Sequence, residues 1–280
     1  MVELPDIQNT KPRIESVIQR VGVSSVELPF YLILRDGGSG PTQIIAKAEM
    51  TCKLGPDLRG ISMSRFLRVL QPYLREPLRR ITIEEILKSF LNTHDTDVAS
   101  LKFEFKLPIM VKSPLTDNEF PHYYNCGFRC DYNKKVAQKF IFYQKVRVQY
   151  AAYCPCSAAL CHYGKHGYPH SQRAFADVIV RSSPHAYLWL ENIVDIVEDS
   201  VKTIPYPIIK RSDEKWIAGM AKSYPLFVED AIRNISSVLD RHNDIIDWFV
   251  RCTHEESIHT SNAIAINWKI DGHFNENTYI

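Results

Sequence analysis

Between Tyr153 and Arg173 the chain holds three cysteines (Cys154, Cys156, Cys161) and three histidines (His162, His166, His170), out of seven and ten in the whole sequence. Thiolate and imidazole are soft to borderline donors that suit zinc and the first-row metals near it. Cys154-Pro155-Cys156 has the spacing C-x-C, not the C-x-x-C of a zinc knuckle, and Cys252 stands alone. A closed four-sulfur structural site is therefore disfavoured. A catalytic metal needs only about three protein ligands and an open position. One thiol and one imidazole from this stretch, with a carboxylate from elsewhere, would make such a site. The plainer alternative is a loop of unpaired thiols and solvated histidines; the density of donors favours the metal. His162 and His166 read as solvated. Cys52, Cys126, Cys130 and Cys252 fall in strand-like runs, where a buried inert thiol is the commoner state.

Three later clusters carry acids. Lys210-Arg211-Ser212-Asp213-Glu214-Lys215 reads as a charged helix start. Pro225-Leu226-Phe227-Val228-Glu229-Asp230 opens an amphipathic helix, where an acid complements the helix dipole. Glu255-Glu256-Ser257-Ile258-His259 falls in a turn between two expected strands. Reactive groups concentrate in such turns, and a Glu and a His three apart suit proton transfer.

These clusters must be held by a scaffold, and the scaffold is legible in outline. The 280 residues are 45% hydrophobic and 24% charged with a net charge of +2. Those are ordinary values for a globular protein, without a strong non-specific pull toward nucleic acid or anionic membrane. The N-terminus has no charged start leading into an apolar run, and no apolar stretch is long enough to cross a bilayer. The expectation is a cytoplasmic protein with reduced thiols.

A lead-in to about Gly22 precedes a strand over 28–35. A turn over 36–40 and a returning strand over 43–54 complete a hairpin. Met63, Phe66, Leu67, Leu70 and Leu74 recur at helical spacing, and Thr82 to Glu85 reads as a capping box opening a second helix. Strands follow near 100–111 and 118–131. The plan then repeats: a strand over 138–153, the Cys/His loop at 154–173, a strand over 174–181, helices near 187–200, 213–223 and 225–241, and strands near 245–253 and 262–270. The doubled order ββαα(α)ββ predicts an α+β fold with antiparallel sheets and helices on one face, divided into modules 1–135 and 136–280.

Taken in order, several motifs resemble the type IB GTP cyclohydrolases, a family of the tunnelling fold (T-fold). They are Leu4-Pro5-Asp6-Ile7-Gln8, Val21-Gly22-Val23, Arg59 to Phe66, Cys154-Pro155-Cys156-Ser157, His170-Ser171-Gln172-Arg173, Lys210 to Lys215, Phe227 to Asp230 and Glu256 to His259. The resemblance covers nearly the whole chain. It implies two tandem ββαα-type modules that assemble into a barrel oligomer, commonly a homotetramer with active sites at subunit interfaces. It also implies conversion of GTP and water to formate and 7,8-dihydroneopterin triphosphate, the first step toward folates. It further implies one divalent zinc, manganese or iron ion per site, and the expected partners include neither nucleic acid nor membrane.

By the same resemblance, Cys156, His170 and Glu214 are the metal ligands, with Cys154 as an alternative thiol. Glu229 anchors the guanine. Glu256 and His259 move protons beside the reacting ring, and a water made acidic by the metal attacks C8. Arg65, Arg173, Lys210 and Arg211 are expected to contact the triphosphate, since arginine suits phosphate oxygens. Three positions depart from the family pattern: Ala158 where it has Lys, Ser62 where it has His, and a longer Cys156-to-His170 loop. Two other readings remain open within the superfamily: an archaeal-type iron enzyme giving a cyclic phosphate of dihydroneopterin, and a non-catalytic purine- or pterin-binding protein. A structural zinc or redox module is a third class.

Overall fold

The computed structural model describes residues 6–35, 40–164, 167–269, 272 and 274. Leu4 and Pro5 of the first motif, 36–39 of the expected turn, His166, and Ile270 lie outside them. Eight strands form one sheet whose order follows the chain. They are β1 (Ile18–Leu32), β2 (Thr42–Leu54), β3 (Val98–Lys112), β4 (Glu119–Asn133), β5 (Phe140–Tyr153), β6 (Ser171–Ser182), β7 (Ile245–His254) and β8 (Ala263–Trp268). The helices are α1 (Met63–Leu70), α2 (Arg80–Thr93), α3 (Pro155–Tyr163), α4 (Leu190–Val201), α5 (Arg211–Ser223) and α6 (Val228–Arg241). The expected α+β class, with antiparallel strand pairing, is what forms. Among the described residues no helix is long and apolar enough to cross a membrane. The chain divides into two compact units.

The first unit comprises Met1–Lys106 and Gly127–Tyr143. Its strands alternate as a one-sided sheet demands: Ile44, Ala46, Ala48, Met50, Cys52 and Leu54 are buried along β2, with exposed or half-buried residues between them. Register sets Met50 opposite Leu101 and Ala48 opposite Phe103. Phe30 then meets Phe103 and Phe105 with ring centroids 5.5 and 5.3 Å apart. From α2, Ile83, Ile86, Leu87, Phe90 and Leu91 enter this core, and Phe66 of α1 meets Phe90 edge-on at 5.1 Å. Truncating a phenylalanine so buried costs about 3–5 kcal/mol.

Two expectations are corrected here. The end of the lead-in is strand: β1 starts at Ile18, and register shifts between Ile18 and Val21 and between Val23 and Val26 erase the alternation that would have revealed it. At Gly22 the backbones come so close that a Cβ would run into the Met50 carbonyl. The second helix opens at Arg80, with Arg79 in the cap position and no side-chain cap, so Thr82 lies inside the first turn. The preceding chain is already fixed, because Leu78 N–H donates to Tyr31 O at 2.7 Å.

The second unit comprises Leu107–Cys126 and Gln144–Ile280. Here β6 and β7 pair with Val178 opposite Val250. Helices α4 and α6 pack on each other, and α6 packs on β7. Ala231, Ile235 and Leu239 of α6 and Trp248, Val250 and Cys252 of β7 are buried. The stretch expected as a Cys/His loop begins instead with the nine-residue helix α3. Pro155 at its first position has the backbone angle a helix needs and gives up no required N–H. Cys154 caps it, its Sγ accepting from Ser157 N–H at 3.5 Å. Helix α6 starts at Val228 rather than Pro225, because Leu226 N–H is held extended by Tyr153 O at 2.9 Å.

Candidate active site

A cavity of about 650 Å³ opens in the second unit where four element ends meet. The start of α3 brings Cys154, Cys156 and Ser157, and the start of β6 brings His170 and Gln172. The start of α6 brings Phe227 and Glu229, and the end of β7 with the following loop brings His254, Glu256 and His259. Cys154, Cys156, His170, Glu229, Glu256 and His259, all expected from sequence, therefore line one cavity. They are separated by up to 105 positions, so only the fold gathers them.

His170 is tightly fixed. Its N–H donates to Ser157 Oγ at 3.3 Å, and its carbonyl accepts from Cys154 N–H at 3.2 Å. Its Nδ1 lies 3.0 Å from Gln172 Oε1 and 3.3 Å from Ser257 Oγ. An amide oxygen only accepts, so Nδ1 carries the proton and Nε2 keeps the lone pair that a metal needs. Cys156, in the first turn of α3, is exposed.

Glu229 is exposed in the first turn of α6. Its neighbour Asp230 turns back instead, accepting from Phe227 N–H at 3.3 Å. Glu255 N–H donates to Arg173 O at 2.8 Å and pins the loop carrying Glu256 and His259 to β6.

Behind them His254 is 2% exposed, with Nε2 at 2.9 Å from the Tyr150 hydroxyl. Burial pushes its pKa down to about 4, partly opposed by the charge of Glu229. His254 and Gln172 were not expected as site residues. The usable signal for His254 was its place in the inward series Trp248, Val250, Cys252, His254, immediately before Glu256.

The remaining expected residues do not line this cavity. Glu214, Lys210 and Arg211 are exposed at the start of α5, and Arg173 is exposed on β6. Arg65 is exposed on α1 in the first unit, with Nη1 3.5 Å from Thr93 O. The start of α5 is nevertheless built firmly. Asp213, buried beside Glu214, accepts from Lys210 N–H (2.8 Å), Leu115 N–H (2.9 Å), Thr116 N–H (3.1 Å) and Thr116 Oγ (2.5 Å). Burial pushes that carboxyl up, but the four hydrogen bonds outweigh it and leave its pKa at about 2. Cys161 and His162 line a different cavity of about 690 Å³ with Tyr168 and Lys222.

The first cavity offers a thiol and a correctly oriented imidazole, a donor pair suited to zinc or iron. Among the described residues no three His, Cys, Asp or Glu side chains stand close enough to hold an ion. One chain alone thus presents two of the three expected ligands in this cavity.

The fold defines a class first. It is shared with the uricase of Arthrobacter globiformis (TM-score 0.58, 6% identity, 93% of this chain and 96% of that one). It is shared likewise with a uricase from Bacillus fastidious (TM-score 0.56, 8% identity, 90% and 92%). At such identities the likeness speaks for the fold alone. The sequence narrows the class. Residues 4–265 match the family described as Type I GTP cyclohydrolase FolE2, and the chain belongs to it. It is similar to the GTP cyclohydrolase FolE2 of Dictyoglomus thermophilum, 32% identical over 260 residues that cover 93% of this chain and 96% of the relative. The protein of that description from Desulfovibrio desulfuricans is 31% identical over 274 residues, covering 98% and 99%.

Proposed function

We propose that this protein is a GTP cyclohydrolase that opens the five-membered ring of GTP hydrolytically. It releases C8 as formate and yields 7,8-dihydroneopterin triphosphate for folate synthesis in the cytoplasm. The observation that carries the reading is the convergence of Cys156, His170, Glu229, Glu256 and His259 on one cavity of a chain of this family.

In this reading Cys156 and His170 hold a divalent zinc, manganese or iron ion, with Cys154 as the alternative thiol. Glu214 completes the set when copies of the chain assemble into a T-fold barrel of modules 1–135 and 136–280, as a homotetramer. The ion, when bound, supplies the Lewis acidity that lets a water lose its proton near neutral pH. Glu229 accepts from guanine N1–H and the 2-amino group, two adjacent donors that match one carboxylate. That contact fixes the base and turns C8 toward the thiol and imidazole, so binding energy is used for orientation. His259, with Glu256 beside it, hands a proton to the ring nitrogen as each C8–N bond breaks. Arg65, Arg173, Lys210 and Arg211 take the triphosphate.

The test is anaerobic incubation with GTP and zinc, manganese or iron, following formate and the fluorescence of the oxidised pterin. Formate, together with a pterin that keeps the mass of three phosphates, is the expected result. A metal-loaded protein that releases neither product contradicts the reading.

A further inference from the structure

We propose that His254 reads the C6 oxygen of guanine, donating a hydrogen bond from Nδ1 beside the carboxylate of Glu229. The inference rests on the reading of this cavity as a guanine site, and it adds a second group that tells guanine from adenine there. A carboxylate only accepts, so Glu229 accounts for the two donors on the guanine edge and leaves O6 unread. O6 lies next to N1–H on that same edge, so its partner must be a donor in the wall near Glu229. Adenine presents an amino group at this place, and a fixed donor rejects it.

His254 meets these requirements. It lines the same cavity as Glu229, and it is close enough to feel that carboxylate's charge. It sits at the end of β7, paired with Ala174 on one side and Ala263 on the other, so it is held by the sheet rather than by a loop. One ring nitrogen is committed to Tyr150 at 2.9 Å. Among the described residues Nδ1 makes no hydrogen bond, and it is not one of the fully enclosed polar atoms left without a partner. It therefore keeps some accessible surface on a residue that lines the cavity.

The chain of contacts behind the ring sets the tautomer. Tyr150 is 1% exposed, and burial keeps it a neutral phenol. Its other neighbour is Cys252, whose thiol burial pushes up to about 12. A thiol is a poor acceptor, whereas imidazole nitrogen is a good one, so the phenol O–H points at His254 Nε2. The ring proton then sits on Nδ1. Of the other candidate donors, Gln172 is oriented by its Oε1 contact with the His170 ring, and His259 is exposed on a loop.

The test is equilibrium binding to the full chain in chelator, where turnover stops. The probes are GTP, 6-thio-GTP, whose sulfur accepts poorly, and inosine triphosphate, which lacks the 2-amino group. The wild type is expected to prefer GTP over 6-thio-GTP by about tenfold, the worth of one neutral hydrogen bond in a closed site. His254→Leu should bring that ratio close to one. His254→Asn should restore it in part, since its amide nitrogen donates from nearly the place of Nδ1. If His254→Leu does not fold, Tyr150→Phe releases the tautomer and should lower the same ratio.

A wild-type ratio in His254→Leu, or in Tyr150→Phe where the first variant is not folded, overturns the proposal. Glu229→Gln separates the two levels of the argument. If it leaves the preference for GTP over inosine triphosphate intact, the guanine-site reading has failed, not the assignment of His254 within it.

Discussion

Gln172 Oε1 stands 3.0 Å from Nδ1 of His170, two residues back and just before β6, and the glutamine is almost fully buried. Gln172 is on β6, and the His170 backbone just before it is fixed by Ser157 Oγ and Cys154 N–H, so the amide is held against the imidazole. A partner of this kind fixes both the tautomer and the direction of the free lone pair. Gln172→Ala should therefore weaken binding of cobalt or zinc on the order of 10–100-fold. The check is competition with a coloured chelator. Unchanged affinity would remove Gln172 from the metal-binding account.

The turn at Leu115 and Thr116 depends on Asp213. Asp213→Ala strips a partner from two backbone amides, one hydroxyl and the first cap position of α5. The expected outcome is a lower melting temperature together with faster amide exchange at Leu115 and Thr116. Binding of metal should weaken as well, because Glu214 loses its fixed base. Exchange by mass spectrometry resolves the local part of this claim from general unfolding.

His94 gives the fold a pH dependence of known sign. Its ring lies 4.2 Å from that of Phe66, and neither nitrogen has a hydrogen-bond partner among the described residues. Burial first, and the charge of Arg65 second, push its pKa down to about 4. An unfolded histidine titrates near 6.5. Between those values the unfolded chain binds a proton that the folded one refuses, so stability is full above about pH 6.5 and declines toward pH 4. The limit is about tenfold in the folding constant per pH unit. Urea unfolding of His94→Leu at pH 7.5, 6 and 5 should show a flatter dependence than the wild type.

The seven cysteines should differ sharply in reactivity. Cys52 and Cys252 are buried with thiols pushed up to about 12, and burial raises Cys126 and Cys130 as well. Thiols held protonated do not alkylate readily. Brief iodoacetamide treatment of the folded protein should mark Cys156 ahead of these four, and added zinc should protect it. Peptide mapping reads both outcomes, and zinc-insensitive labelling of Cys156 would count against its role as a ligand.

Much of this was written in the sequence, for identifiable reasons. One-sided burial leaves an alternating record, so β2 and β3 were readable from Ile44 to Leu54 and from Leu101 to Leu107. Where bulges interrupt the pairing, as between Val23 and Val26, the record stops, and the start of β1 was missed. Helix α3 was hidden because Cys-Pro-Cys draws the eye to metal chemistry, although a proline after a capping residue also opens a helix. The site motifs were visible because polar residues crowd the ends of elements. What supports them was not visible. Tyr150 and His254 lie 104 positions apart, and only the sheet's register sets them 2.9 Å from each other. Of the adjacent acids Asp213 and Glu214, nothing in composition tells which one turns inward.

The central claim is that the cavity holding Cys156 and His170 excises C8 of the purine. The most direct measurement is formate released from GTP carrying an isotopic label at C8, with metal content determined on the same samples. The account predicts label in formate for the metal-loaded wild type. It predicts neither label nor tightly held metal for Cys156→Ala and His170→Ala. Label that stays in the purine with the loaded wild type, or formate released at the wild-type rate by Cys156→Ala, would contradict it.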